Sequence, residues 1–245
     1  MSLEKILKNM KKMDAYIHYM ITLCGGFFGV YAIVSRMGNF GQAQTVNLIE
    51  MVGNILGKDL TGAIIRLLAV LIFISGIVLA TILEKKGKLD QRYLAIFFDF
   101  MAAIIVGFSP LSMDPVIALY PFFFATAFQW CVFKGAKGYA SATVFCTNNL
   151  KQTTISIMEC LFMTKNNPER REKLEKAKFY GSTFLSFYIG VVVGYFSWYF
   201  YGAHSIWFIA IPLLVNFILV FVEKNKYEAN FNIQKNMVHE STLEK

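Results

Sequence analysis

Apolar residues in this chain come in long stretches, with none of the alternation that membrane β-barrel strands require. Six of them could cross a bilayer core of about 30 Å: Ala15 to Ser35, Thr61 to Leu83, Tyr93 to Ser109, Pro115 to Phe133, Phe179 to Tyr201 and His204 to Val222. In lipid the backbone must satisfy its own hydrogen bonds, so each is expected as a helix. The third is the shortest and contains Asp99.

Polar residues break the pattern at two places of similar design. "FGQAQTVNLIE", residues 40 to 50, follows the first span, and "FCTNNLKQ", residues 145 to 152, follows the fourth. A shift of 102 places Thr45-Val46-Asn47-Leu48 over Thr147-Asn148-Asn149-Leu150. Further on, "FISGIVLA" (Phe73 to Ala80) and "FYIGVVVG" (Phe187 to Gly194) share Phe-x-x-Gly-x-x-x-small. The motifs are 28 residues apart in the first half and 40 in the second, and the difference falls near "TKNNPERREKLEKAK".

Each half then holds three spans, an odd number, so halves that fold alike must sit in the membrane with opposite orientations, as in many secondary transporters. The expected fold is all-α: six transmembrane helices in two inverted three-helix repeats, each with a polar re-entrant or half-membrane element after its first span. Residues 1–14 form an N-terminal segment, 15–109 the first repeat, 110–222 the second with a charged insertion near 163–178, and 223–245 a tail.

Composition agrees: 56% of the residues are hydrophobic and 16% charged, with a mean hydropathy of +0.49, too little polar surface to cover a soluble globule. The net charge of +8 is placed unevenly. Of 24 Lys and Arg residues, 21 fall on one side of the six-span drawing, Arg36 and Lys58 on the other, and Arg66 inside span two. The positive-inside rule then puts both termini in the cytoplasm, with an uncleaved first span. The charge reads as topology, and no nucleic-acid partner is expected.

Catalysis is not expected either. His18, His204 and His239 form no Ser, His and acid pattern, and Cys24, Cys131, Cys146 and Cys160 lack paired metal-ligand spacing. No cofactor or metal is implied.

Ionisable groups inside spans are costly, so Asp99 and Arg66 are candidates for coupling or charge roles. Gln129 enters from the opposite face at a depth that allows contact with Asp99, which would carry a coupling proton or bond two helices. Arg66 would snorkel outward or attract an anion at the outer mouth of a cavity. The Thr and Asn motifs suit either capping of a half-helix or hydrogen bonding to a solute. The pairs Gly25/Gly29 and Gly190/Gly194 permit close helix contact. They would also serve a homodimer, but the second pair falls in the repeated motif, which points to packing within one chain. "NNPERREKLEKAK" reads as a helix with Asn167 as cap, Pro168 in the first turn, and Glu169 to Lys173 and Glu172 to Lys176 pairs.

"GGFFGVY" at Gly25 to Tyr31, "FGQAQTVN" at Phe40 to Asn47, "QWCVFK" at Gln129 to Lys134 and "YASATVFCTNNL" at Tyr139 to Leu150 together resemble the YoaK family of uncharacterised bacterial multi-pass membrane proteins. Both Thr-Gly-Asn motifs of that family have lost their glycine here, to Val46 and Asn148, and its first acidic residue appears as Gly29. The resemblance implies residence in a bacterial cell (inner) membrane and an architecture, without a substrate.

The leading expectation is a carrier for an unidentified small solute in the lipid bilayer. Its pathway would be lined by Gln44, Thr45, Asn47, Gln129, Thr147, Asn148 and Asn149. The rival is a non-transporting sensor or assembly partner in which the polar runs only hold helices together.

Overall fold

The computed structural model describes residues 3–87 and 89–243. Lys88 and the terminal residues 1, 2, 244 and 245 lie outside the described residues, as do the side chains of Lys5, Lys8, Lys235 and His239 from the counts above.

Helices dominate: α1 (Leu3–Ser35), α2 (Gln44–Leu56), α3 (Leu60–Lys86), α4 (Gln91–Phe108), the single turn α5 (Pro115–Ala118), α6 (Tyr120–Val132), α7 (Thr147–Phe162), α8 (Glu169–Tyr201) and α9 (Ala210–Leu243). A 3-10 segment (Gly202–Ile209) joins α8 to α9, and a two-residue-per-strand hairpin, β1 (Gly135–Ala136) and β2 (Tyr139–Ala140), follows α6. Among the described residues, four helical runs are long and apolar enough to cross a membrane: Lys11–Ser35, Leu60–Lys86, Gln91–Phe108 and Glu169–Lys226, the last containing both α8 and α9.

The expected fourth span, Pro115 to Phe133, is not one continuous helix. It is divided at Leu119 into α5 and α6, because Pro121 at the start of α6 has no N–H to continue the ladder. The sixth begins later than expected. Gly202, at φ 53, ends α8, and Pro212 lies in the first turn of α9, so the intervening turn winds as 3-10. The charged stretch before α8 is not a separate module, since α8 runs unbroken from Glu169. Asn167 Oδ1 does accept from the Glu169 N–H at 2.9 Å, but Lys173 pairs with Glu159 of α7 at 2.9 Å, across the helix hairpin.

Two helix pairs run parallel. Tyr19 of α1 meets Phe179 of α8, Leu23 meets Gly190, and Tyr31 meets Trp198. Tyr120 of α6 donates to the Ile65 carbonyl of α3 at 2.8 Å, and Phe124 lies at Gly76. Three pairs run antiparallel: α2 with α3, α7 with α8, and α4 with α9, where Tyr93 meets Phe217. α1 lies at the centre, with Phe27, Phe28, Tyr31 and Ala32 fully or almost fully buried. At 13 and 16 residues, α2 and α7 are about 20 and 24 Å long, short of a bilayer core.

The hairpin turns through Lys137 and Gly138, both at positive φ, as a two-residue loop of that twist requires. It covers one end of α1 and α8, where Tyr139 packs on Phe179 and the Lys137 N–H donates to Asp14 Oδ2 at 3.3 Å.

Asp90 caps α4, accepting from the Arg92 N–H at 3.1 Å, and the Arg92 guanidinium bridges Asp90 to Glu223 of α9. Burial alone would raise the Asp90 carboxyl, but its bonds and charge contact with Arg92 outweigh that and hold it below the usual value. A depressed folded-state value means that the stabilisation is fully present at neutral pH and fades only as pH drops below the usual carboxylate value of about 4. Replacing Asp90 by Asn should flatten the acid limb of a stability-versus-pH profile, leaving its neutral and alkaline limbs parallel to the unchanged protein.

A Cβ added at Gly190 would lie 2.0 Å from the Leu23 carbonyl oxygen, whereas one at Gly53 meets nothing within 4 Å. Gly190→Ala should therefore cost about 1 to 3 kcal/mol or more through overpacking against backbone. Gly53→Ala should be neutral or slightly stabilising. Thermal midpoints in detergent compare the two, and equal midpoints would refute this account of the contact.

Candidate functional site

The first polar run enters as an irregular segment and then becomes α2. Gly41 and Gln42 are buried in the segment, and the Gln42 amide donates to the Gly25 carbonyl at 2.8 Å. In α2, Asn47 is buried and accepts from Arg66 Nη1 of α3 at 3.0 Å, while its own amide donates to Gln44 at 3.3 Å. Arg66 also pairs with Glu50. It is thus neutralised and latched onto α2, so the expected roles of free anion attractor or outward snorkel are replaced by an α2 to α3 tie.

The second run repeats the design. Ser141, Thr143 and Val144 are buried in an irregular segment, and α7 starts at Thr147. Asn149, fully buried, accepts from Ser141 Oγ at 2.8 Å and donates to the carbonyls of Ala142 at 3.0 Å and Phe145 at 3.4 Å. Its side chain fastens the bend that precedes α7.

Thr45, Val46, Thr147 and Asn148 are exposed, on the side of each helix away from its buried asparagine. Val46 and Asn148 therefore do not narrow the interior where the resembling family has glycine.

Gln129 of α6 is fully buried and donates to Thr143 Oγ1 at 2.8 Å; it makes no hydrogen bond to Asp99. Asp99, fully buried, shares the depth of Gln129, and neither of its carboxylate oxygens has a hydrogen-bond partner among the described residues. Gln42 Oε1 and Gln129 Oε1 are likewise buried and unmatched among the described residues.

Three buried groups escaped the sequence reading. Gln42 lies within the first polar run, two residues before the expected Gln44, and only its burial distinguishes it. Arg36, 1% exposed, donates to the carbonyls of Pro110 at 2.8 Å and Ser109 at 3.0 Å beyond the C-terminus of α4. His18, also 1% exposed, stacks on Phe179.

A cavity of about 320 Å³ lies between α1, the first irregular segment and the start of α7. Gly29, Phe40, Phe145, Cys146, Thr147 and Tyr188 are among its lining residues, so both polar runs reach it, and its wall is mainly aromatic and aliphatic.

Removing Asn149 should cost far more than removing its neighbour. Asn149→Leu strands buried backbone carbonyls at about 1 to 3 kcal/mol. Asn148→Ala, on an exposed face, stays within about 0.5 kcal/mol. Denaturation in detergent measures both, and a comparable loss in the two variants would contradict the fastening role.

Among known families, one described as "Protein of unknown function (DUF1275)" matches residues 17–219, in keeping with the YoaK-like motifs. No curated protein and no solved structure matches the chain.

Proposed function

Since the chain belongs to that family, whose description assigns no activity, we propose from its helix arrangement that it is a membrane carrier for a small solute. The carrier would consist of two three-span repeats of opposite orientation, rocking about a mid-depth site. The observation that supports this most directly is a matched set of contacts. α1 lies parallel to α8 with Gly190 at the Leu23 carbonyl, and α6 lies parallel to α3 with Gly76 at the Phe124 carbonyl. Gly76 and Gly190 are the shared glycines of the two Phe-x-x-Gly motifs. α2 hangs on α3 as α7 hangs on α8, and α4 pairs with α9. Exchanging α1 with α6, α2 with α7, α3 with α8 and α4 with α9 maps this set onto itself. α1 and α6 run in opposite directions, with Tyr31 beside Phe122 and Gly25 beside the Thr143 that Gln129 holds.

On this reading α5 and α6, about 27 Å together over 18 residues, take the place of the fourth span. α2 and α7 are re-entrant half-helices that start at mid-depth from opposite faces. Asn47 pairs with Arg66, about 9 Å inside the start of α3, and Cys146 touches Tyr188, about 14 Å along from Phe179. Non-helical backbone at such depth is tolerated where it is buried or lines a cavity, which is where both irregular segments lie. The aromatic wall of the cavity suits a small, largely apolar solute, with Thr147 its polar edge. The charge asymmetry of the loops supports cytoplasmic termini. The non-transporting alternative draws on Asn149, whose polar atoms are committed to the fold.

The test uses native Cys146 as the only cysteine, with Cys24, Cys131 and Cys160 changed to Ala. A thermal-shift screen against metabolite classes identifies a ligand of the folded protein. That ligand should slow alkylation of Cys146, and Cys146 should become reactive from either membrane face as conditions change. Reaction from one face alone, whatever ligand is present, removes alternating access. Labelling of Lys85→Cys or Lys173→Cys from outside intact cells reverses the orientation.

A further inference from the structure

Along Cys24 to Gly29 of α1 the unmatched buried side-chain atoms are oxygens, the unmatched nitrogens of His18 lying about 9 Å back along the helix. Asp99 contributes two, Gln42 one and Gln129 one, and none has a hydrogen-bond partner among the described residues. The Gln42 amide is not free to turn and supply a donor, because the carbonyl that holds it only accepts, and Gln129 presents its oxygen while its nitrogen is held by a hydroxyl. Gln42 Nε2 is committed to the Gly25 carbonyl, and Gln129 Nε2 to Thr143 Oγ1. Gln42 holds Gly25 of α1, the Thr143 carbonyl beside Gln129 points at Gly25, where a Cβ would lie 2.2 Å from it, and Asp99 lies level with Gln129, since Phe98 packs on Phe124 and Phe128. Cys24 and Gly25 stand near the midpoint of the Lys11–Ser35 run, and Asp99 is about 12 Å from the start of α4.

Leaving four acceptors buried without donors is costly, and a buried unpaired carboxylate more so. What they lack is positive charge. No described cation supplies it: Arg92, about 10 Å along α4, is bound to Asp90 and Glu223, and Arg36, beyond the far end of α4, is bound to carbonyls. Hard cations take oxygen ligands, and a single carboxylate in a low-dielectric interior balances a single charge. Among the described residues no three His, Cys, Asp or Glu side chains gather, so the donor set does not suit a transition metal.

We propose that a monovalent alkali cation, sodium as the probe, binds between α1, α4 and α6 to the Asp99 carboxylate and the amide oxygens of Gln42 and Gln129. Gln42 ties this site to the cavity. Its Oε1 would stand 3.0 Å from a Cβ placed on Gly29, and Gly29 is part of the cavity wall. Ion and solute would then meet across one residue, which rests on the carrier reading and would make sodium the coupling ion. Binding of the ion itself does not require transport.

The experiment uses the full chain in nanodiscs at fixed pH and ionic strength, with sodium exchanged for choline. Sodium should raise the thermal midpoint saturably, and labelled sodium should bind at one ion per chain. Asp99→Asn, neutral and of the same size, should weaken sodium binding at least tenfold. Gln42→Ala, with the carboxylate intact, should weaken it severalfold and gives an independent answer if Asp99→Asn does not fold. Saturable sodium binding of unchanged affinity in either folded variant overturns the site. So does a protein whose midpoint ignores sodium but shifts with pH in an Asp99-dependent way, because the occupant is then a proton. Sodium binding without any solute hit upholds the site while the carrier reading fails, and a solute hit that is indifferent to sodium has the opposite meaning.

Discussion

The closeness of α1 to α8 is the constraint from which the other contacts follow. Lipid tails are as apolar as the side chains between helices, so association inside a bilayer draws little from the hydrophobic effect and depends on packing distance. Here the distance is set by backbone against backbone: Gly26 fits under the Phe187 carbonyl and Gly190 under that of Leu23, each with no room for a Cβ. Because the contacts are reciprocal, α1 can neither slide nor roll against α8 without losing one of them. Its other faces are then available to α6, α9 and the 3-10 segment, through pairs such as Phe28 on Phe122 and the bond from Tyr31 to the Ala203 carbonyl.

A fixed α1 creates a second demand. Two irregular segments come to lie against it, carrying peptide groups without the internal bonds of a helix. Asn149 answers by binding two carbonyls of its own segment, Gln129 by holding Thr143, and Gln42 by donating to Gly25. The amide side chains are therefore half structural. Their nitrogens fasten the fold, and the oxygens left over at Gln42 and Gln129 are buried, like those of Asp99, without hydrogen-bond partners among the described residues.

How much of this was readable depends on what each inference needed. Span positions need only hydropathy summed along the chain, and α1, α3, α4 and α8 follow from it. The broken stretch at Leu119 does not, because hydropathy cannot see that Pro121 lacks a donor. The Phe-x-x-Gly motifs were legible too, and their glycines, Gly76 and Gly190, each lie under a carbonyl of a neighbouring helix. That no hydrogen bond joins Asp99 to Gln129 has another reason. Depth can be counted at 1.5 Å per residue, but the direction a side chain faces depends on the roll of its helix, which is set by packing partners distant in sequence. Arg36 was hidden in the same way. Its sequence neighbourhood shows a lone outer charge, and only the arrival of the Ser109 and Pro110 carbonyls makes it a clamp.

Position 29 links these threads. The resembling family carries an acidic residue where this chain has Gly29, on the face of α1 that borders the cavity. A side chain there would press on Phe40 at 2.7 Å and on Gln42 Oε1 at 3.0 Å. Its absence leaves room between the cavity wall and Gln42 and puts no second carboxylate at position 29. A second carboxylate within a few ångströms would raise the cost of charging either one, or call for a second positive charge. With glycine at 29 the electrostatic demand of the interior falls to a single cation, and the room that glycine frees lies on the side from which a solute would approach it.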